Sequence, residues 1–313
     1  MRPGLRIVFM GTPDFAVPSL QTLLAGPHHI LAVVCQPDRQ RGRGKIMQPP
    51  PVKDLAEAHG IPVLQPDSIR TDSFFEQLRA LAPDLLVVVA YGKILPTTLL
   101  HLPPLGAVNV HASLLPKYRG AAPIQWAVIN GETETGITIM QMDEGMDTGA
   151  ILMAASTPIG PRETAGELFA RLALLGGDTL AEALGRLQEG QLPATAQDHS
   201  LASSAPMLTK EQGHLDWTLT AHRLHCLIRG LDPWPSAYGF LAEKRHRFFR
   251  PEVVSLQTRE APGTICRADA QGLLIAAGTD SLRIHEIQPE GKKRMPVATF
   301  LRGVSITPGT RVT

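Results

Sequence analysis

The chain has 313 residues, of which 43% are apolar, and its formal net charge is only +1. This length exceeds that of a typical single domain and favours two folding units, while the near-neutral charge excludes a protein covered with basic surface. Since no apolar run approaches the ~18 to 20 residues needed to cross a bilayer, we expect no membrane-spanning helix and no membrane partner.

Five short apolar runs in the first half of the chain predict β-strands. They are rich in Val and Ile and do not alternate strictly with polar residues, which is typical of strands buried on both faces of a parallel sheet. The runs are RIVFMG, ILAVVCQ, IPVLQP, DLLVVVAYG and GAVNVHAS. Helix-like segments such as VPSLQTLLAG and DSFFEQLRALAP separate them. The sequence therefore predicts an α/β fold with a doubly wound, Rossmann-like, mostly parallel sheet.

The second half of the chain has a different organisation. Helical spacing after Pro161 predicts a long helix that ends near residue 190, and the Ala-, Ser- and Pro-rich segment 193–209 predicts a linker. The helix TAHRLHCLIRGL and five short runs broken by Gly, Asp and Pro follow, and they predict a smaller, OB-like β-barrel. We therefore expect a catalytic domain over 1–192, a linker over 193–209 and a C-terminal barrel over 210–313.

The two halves also differ in charge. Residues 1–209 hold 15 Lys and Arg against 19 Asp and Glu, whereas residues 210–313 hold 15 against 10. A basic second half indicates an anionic partner for that part of the chain.

The three cysteines, Cys35, Cys226 and Cys266, are odd in number and far apart. They have no metal-ligand spacing, and no set of histidines combines with carboxylates or thiolates in such a spacing, so no metal is expected. The first predicted strand begins within a few residues of Met1, which leaves no room for a leader segment. The expected location is a reducing compartment, the cytoplasm.

The first strand opens into VFMGTPDFAVPSL, a strand–turn–helix sequence that invites comparison with dinucleotide-binding folds. That fingerprint needs three spaced glycines so that the backbone can approach a pyrophosphate, and only Gly11 is present. A tight βα turn is the better interpretation, and a dehydrogenase is not favoured.

A cluster of polar side chains is predicted where later strands end. Asn109 and His111 lie two residues apart in extended chain and so face the same side, and Asp147 follows the strand-like run TGITI in a glycine-containing loop. An amide can donate to a carbonyl oxygen, an imidazole can donate or relay a proton, and a carboxylate can orient the imidazole. This set suits acyl transfer without a covalent enzyme intermediate, because Ser113 lacks the surroundings of a nucleophilic serine.

The segment NVHASLLPKYRGAAPIQWAVINGETETGITIMQMDEGMDTGAIL resembles the core of the folate-dependent formyltransferases. The shared pattern is Asn-x-His, then Ser-Leu-Leu-Pro-x-x-x-Gly, then a distant Asp in a glycine-containing loop. Further stretches resemble the members of this family that act on methionyl-tRNA: GTPDFAVPSL, QPDRQRGRGK, VVVAYGKILP, LDPWPSA and PEGKKRM. The similarity spans nearly the whole chain.

This resemblance implies that a formyl group moves from 10-formyltetrahydrofolate to the α-amino group of methionine esterified to initiator tRNA, in translation initiation. It implies direct attack through a tetrahedral intermediate, with Asn109, His111 and Asp147 as the catalytic residues. It also implies a folate site formed by residues of the AYGKIL, SLLP and MD segments. These residues are Tyr91, Gly92, Ile94, Leu95, Ser113, Leu114, Leu115, Pro116, Met142 and Asp143.

Two basic regions are expected to contact tRNA phosphates, which gives an affinity that falls with salt. The first is the loop with Arg39, Arg41, Arg43 and Lys45, where the resemblance implies that Arg43 is a principal contact. The second lies in the barrel and comprises Lys244, Arg245, Arg247, Lys292, Lys293 and Arg294. The neighbouring Phe248 and Phe249 are expected to be barrel core.

Two alternatives remain open from the sequence. One is a formyltransferase that acts on another amine, such as glycinamide ribonucleotide or an amino sugar, although such an enzyme needs no basic second domain. The other is a non-catalytic tRNA-binding protein, against which the joint presence of Asn109, His111 and Asp147 counts. The expected oligomeric state is a monomer.

Overall fold

The computed structural model describes residues 4–41, 46–256 and 258–313. Its contacts divide the chain into two compact units. The first unit comprises Met1–Gly120, Thr135–Thr157 and Phe169–Ala205, and the second comprises Ala121–Glu134, Pro158–Leu168 and Pro206–Thr313. The boundaries predicted from composition at residues 192 and 210 stay a prediction.

A seven-stranded sheet organises the first unit. The strands in this part of the chain are β1 (Arg6–Gly11), β2 (His29–Val34), β3 (Arg39–Arg41), β4 (Ile46–Gln48), β5 (Val63–Leu64), β6 (Leu85–Val89), β7 (Ala107–His111), β8 (Glu134–Gln141) and β9 (Ile151–Pro158). The spatial order is β5-β2-β1-β6-β7-β8-β9, while β3 and β4 form a separate antiparallel pair. The strands β5, β2, β1, β6 and β7 each pair in parallel with their neighbours in this series, and β8 runs antiparallel to β7. The predicted Rossmann-like, mostly parallel sheet is confirmed.

Every residue of β6 is buried, as the continuous Leu–Val run predicts for a central parallel strand. The helices of the described residues are α1 (Val17–Ala25), α2 (Pro51–Ala58), α3 (Asp72–Leu81), α4 (Thr97–Leu100), α5 (Pro123–Ile129), α6 (Ala165–Glu189), α7 (Ala221–Gly230) and α8 (Val297–Phe300). The segments predicted as helices form α1, α3, α6 and α7. Thr71 caps α3 and Thr220 caps α7, because each side chain accepts a hydrogen bond from a backbone N–H of the first turn. These hydrogen bonds fix where the two helices begin.

An antiparallel sheet that fits an OB-like fold forms the framework of the second unit. Its strands are β10 (Tyr238–Leu241), β11 (Lys244–Val254), β12 (Ile265–Asp269), β13 (Gly272–Ala276), β14 (Ser281–Pro289) and β15 (Met295–Pro296), in the order β10-β11-β14-β13-β12 with β15 on β14. The core includes Phe248, which packs edge-to-face on Trp217 with ring centroids 5.9 Å apart. Phe248 and Phe249 are both buried, as expected.

Two further expectations concern the state of the cysteines and the presence of membrane-spanning helices. None of Cys35, Cys226 and Cys266 forms a disulfide, and burial raises the pKa of the Cys35 thiol to about 11. Within the part of the chain that the structure describes, no helix has both the length and the apolar character required to traverse a lipid bilayer.

Close packing of β8 against β9 yields a stability prediction. A Cβ atom on Gly136 would lie 2.1 Å from the Ala155 carbonyl oxygen and 2.6 Å from a Leu114 methyl carbon, whereas one on Gly185 in α6 would meet nothing within 4 Å. Gly136→Ala should lower the free energy of unfolding by about 1–3 kcal/mol because the strands must separate. Gly185→Ala should raise it by about 0.5–1 kcal/mol because alanine favours the helix.

Denaturant unfolding of the two variants beside the wild type measures both effects. Equal stability changes in the two variants would contradict the close approach of β9 to Gly136.

Candidate active site

Strand β7 presents two polar side chains toward one side of the sheet. Asn109 and His111 are two residues apart, so the alternation of the strand directs them alike. Asn109 is half-buried, and its amide forms no hydrogen bond with any residue in 4–41, 46–256 or 258–313. His111 is buried with 6% of its surface exposed. The strand therefore offers one amide with free bonding capacity beside one enclosed imidazole.

The loop that follows β8 brings Asp147 to His111. Because β8 is antiparallel to β7, Gln141 at the end of β8 pairs with Val108 near the start of β7. The loop after β8 must therefore return toward the far end of β7, and it does so: Asp147 Oδ1 lies 3.6 Å from His111 Nδ1. The loop closes at Gly149, where a Cβ atom would lie only 1.8 Å from the Gln141 carbonyl oxygen. Only glycine fits this closure.

The His111 ring is oriented by a backbone group that sequence reasoning missed. The distance between Nε2 and the Tyr118 carbonyl oxygen is 2.7 Å. A carbonyl can only accept a hydrogen bond, so Nε2 carries a proton and donates it. Nδ1 then faces Asp147 across 3.6 Å, which is longer than a hydrogen bond and leaves this nitrogen available to a substrate atom or a water as well.

The Asp147 carboxylate is itself held from the other side. Its Oδ2 accepts a hydrogen bond of 2.8 Å from the Gly120 backbone N–H, and its own backbone has a φ of +55°. Left-handed backbone is uncommon for a residue other than glycine, although aspartate tolerates it better than most. The arrangement fixes the carboxylate between a backbone donor and the imidazole.

The SLLP segment lies against this centre but mostly turns inward. Ser113 is fully buried, and its hydroxyl accepts a bond from the Tyr118 N–H and donates to the Tyr118 carbonyl. Leu115 is buried, whereas Leu114 and Pro116 are half-buried. The Ser113 hydroxyl thus shapes the loop that holds His111, and of this segment Leu114 and Pro116 are the more accessible residues.

The other residues expected at a folate site follow β6 and β8. Tyr91 is buried, and burial raises the pKa of its phenol to about 12. Its backbone carbonyl accepts bonds from Thr12 Oγ1 and Gln36 Nε2. Leu95 is buried, Met142 is half-buried against the same core, and the exposed residues are Gly92, Ile94 and Asp143. Exposed Ile94, with 62% of its surface accessible, is the apolar residue of this set that a ligand can cover.

The basic loop of the first unit is described only in part. Arg39 is exposed and lines a cavity of about 80 Å³ together with Thr12 and Gln36. Arg43 and Lys45 lie outside the described residues, as does the side chain of Arg41.

The basic residues of the second unit lie in two adjacent segments. Lys244 is the first residue of β11 and pairs with Leu241 of β10. Strand β11 also pairs with β14 so that His246 faces Pro289, just before the turn with Lys292 and Lys293. No ion pair joins the side chains of Lys244, Arg247, Lys292 or Lys293 to another described residue. These four charges are available to an anionic partner.

Two arginines of the same set are already paired. Arg245 contacts Glu290 at 3.1 Å. Arg294 contacts Asp232 at 3.0 Å and Glu286 at 2.5 Å, and its guanidinium lies 4.0 Å from the centre of the Phe249 ring. The charge of Arg294 is balanced inside the unit.

Comparison with known proteins adds family evidence to this geometry. A family model described as "Formyl transferase" matches residues 5–184, and one described as "Formyl transferase, C-terminal domain" matches residues 207–305. The chain is 59% identical over 303 residues to the methionyl-tRNA formyltransferase of Desulfotalea psychrophila, covering 97% of this chain and 94% of that protein. It is 52% identical over 309 residues to the methionyl-tRNA formyltransferase of Geobacter sulfurreducens, covering 99% and 97%.

Solved structures show the same fold at low identity. An N-formyltransferase from Helicobacter canadensis, in complex with folinic acid and dTDP-3-aminofucose, has a TM-score of 0.67 at 16% identity, over 93% of this chain and all of that one. HypX from Aquifex aeolicus, in complex with tetrahydrofolic acid, has a TM-score of 0.62 at 16% identity, over 95% of this chain and 47% of that one.

Proposed function

The chain belongs to the formyl transferase family, and from this premise we propose that it transfers a formyl group from 10-formyltetrahydrofolate to the α-amino group of methionyl initiator tRNA. The observation that carries the proposal is the approach of Asp147 to His111 at 3.6 Å beside Asn109, within the matched formyl transferase domain. Bound 10-formyltetrahydrofolate supplies an electrophilic formyl carbon. The product is the formylated tRNA used in translation initiation.

Asn109 and His111 stabilise the charge that develops on the formyl oxygen. When the neutral methionyl amine attacks the formyl carbon, the carbonyl oxygen becomes an oxyanion, and the Asn109 amide N–H is free to donate to it. His111 Nδ1, when protonated, is the second donor, since Nε2 is occupied by Tyr118. Removing one such donor typically costs ~3 to 4 kcal/mol of transition-state stabilisation.

Asp147 completes the proton transfer. The attacking amine must lose a proton, and the tetrahydrofolate nitrogen must gain one as the carbon–nitrogen bond breaks. Asp147 is a carboxylate with one oxygen facing His111 and the other held by Gly120, so it accepts the amine proton through an intervening water and returns that proton to the tetrahydrofolate nitrogen as the carbon–nitrogen bond breaks.

Direct attack by the amine fits the surroundings of the nearest hydroxyl. A covalent formyl-enzyme needs an exposed and activated nucleophile, but the buried Ser113 hydroxyl donates to the Tyr118 carbonyl. The methionyl amine therefore attacks the formyl carbon directly, and this carbon is the tetrahedral centre of the intermediate. The residues after β6, including exposed Ile94, fit the need of a pterin for an apolar slot with backbone partners.

Initiator tRNA is the proposed macromolecular partner. The unpaired charges Lys244, Arg247, Lys292 and Lys293 in the second unit suit the phosphate backbone, and Arg39, Arg41, Arg43 and Lys45 are proposed to contact the acceptor arm. Free cysteines fit a reducing compartment, and we place the protein in the cytoplasm as a monomer.

The role of His111 predicts a loss of turnover without a loss of tRNA affinity. His111→Ala should lower kcat for formylation at least ~100-fold because a transition-state donor is removed. The dissociation constant for methionyl-tRNA should stay within about twofold. Exposed His101 supplies the control, and His101→Ala should behave as wild type. A His111→Ala enzyme with near wild-type kcat would remove His111 from the mechanism.

The proposed substrate predicts a strong preference among amines. Tetrahydrofolate should be released rapidly from 10-formyltetrahydrofolate with methionyl-tRNA, and release with glycinamide ribonucleotide or an amino sugar nucleotide should be no faster than without an acceptor. Comparing kcat/KM for the three acceptors makes the test. A higher kcat/KM for either small amine would make that amine the substrate in place of methionyl-tRNA. No release of tetrahydrofolate with any of the three acceptors would favour a non-catalytic protein.

A further inference from the structure

Gln197 lies in the segment that composition predicts to be a linker, yet its side chain is buried, with 7% of the residue surface exposed. Its Nε2 donates to the Asp147 carbonyl at 2.9 Å and to the Gly149 carbonyl at 2.7 Å. Both acceptors belong to the loop that returns the catalytic carboxylate to His111. Gln197 thus holds the backbone of that loop at Asp147 and Gly149 through its side-chain amide.

Arg119 fixes which way the Gln197 amide points. The Gln197 oxygen accepts two bonds from the Arg119 guanidinium, at 2.7 Å from Nη2 and 3.2 Å from Nε. A guanidinium only donates, so the amide oxygen must face Arg119 and the amide NH₂ must face the two loop carbonyls. The orientation leaves both Nε2 protons on Asp147 and Gly149.

The contacts form a closed circuit around Asp147. Arg119 directly precedes Gly120, whose N–H holds the Asp147 carboxylate at 2.8 Å. Residues 119 and 120 therefore hold Asp147 in two ways. Gly120 binds the Asp147 side chain directly, and Arg119 holds the Asp147 backbone through Gln197.

The segment that carries Gln197 is fastened on both sides of that residue. Thr195 exchanges two backbone hydrogen bonds of 2.8 Å with Ile151, and Arg119 bonds the backbone of Ser203 at 2.8 Å and of Ala205 at 2.7 Å. These bonds keep Gln197 within reach of the loop without help from its side chain. Substitution of Gln197 therefore removes its side-chain bonds without releasing the segment.

From this circuit we propose that Gln197, oriented by Arg119, is a positioning residue for the formyl transfer itself. It holds Asp147 in its left-handed backbone conformation and so keeps the carboxylate opposite His111. A residue other than glycine is strained in such a conformation, which persists only when its surroundings over-determine it. Gln197 touches no reacting atom, so it acts only through Asp147. The inference rests on the proposed function.

Gln197→Glu tests this role with little change in shape. The new carboxylate still pairs with Arg119, but it sets an acceptor against two carbonyl oxygens and repels the loop. A misplaced catalytic group costs about 10- to 100-fold, so kcat should fall by that factor with KM for both substrates within about twofold. Gln197→Ala should lose activity similarly, and Gln191→Ala, at an exposed glutamine of the neighbouring stretch, should match wild type.

A double-mutant cycle separates positioning from general stability. Asp147→Asn already removes the carboxylate, so adding Gln197→Glu to it should lower kcat no further. A crystal structure of Gln197→Glu should show the His111–Asp147 separation increased beyond 3.6 Å.

Multiplicative losses in the double variant, an effect confined to KM, or an unchanged separation with wild-type kcat would each overturn the positioning role. A wild type that fails to formylate methionyl-tRNA would instead overturn the proposed function. The wild-type assay therefore distinguishes the two failures.

Discussion

Strand β8 ends at the opposite end of β7 from His111, so the loop after β8 must bring the Asp147 carboxylate back to the His111 imidazole. This one constraint accounts for much of the surrounding structure. The return requires a glycine where the loop closes on Gln141, a backbone donor at Gly120 and a side-chain tether at Gln197. None of these groups performs chemistry, but together they set the separation of 3.6 Å between the Asp147 carboxylate and the His111 ring.

The principal features of the fold were predictable because they depend on local pattern. The buried Leu–Val run of β6 and the apolar run of β7 are dictated by burial on both faces of a parallel sheet. The convergence of Asn109, His111 and Asp147 followed from the residue types and the family resemblance. The antiparallel direction of β8 was not predictable from its apolar run, since periodicity does not reveal strand direction.

The supporting groups escaped sequence reasoning for a physical reason. Tyr118 and Gly120 act through backbone carbonyl and N–H groups, which every residue but proline possesses, so their side chains give no signal. Gln197 stands in a stretch of linker-like composition, and its importance arises from contacts with residues far away in the chain. The charge asymmetry of the second half was visible in the sequence, but which cations are already paired, as Arg294 is with Asp232 and Glu286, required coordinates.

The central claim is that one reacting carbon lies between the amide, the imidazole and the carboxylate. A crystal structure with a folate analogue that carries a formyl group at position 10 and cannot transfer it tests it most directly. The account predicts the formyl group within about 3 Å of both Asn109 Nδ2 and His111 Nδ1, with Asp147 still facing the ring. A formyl group bound elsewhere, out of reach of Asn109 and His111, would contradict it.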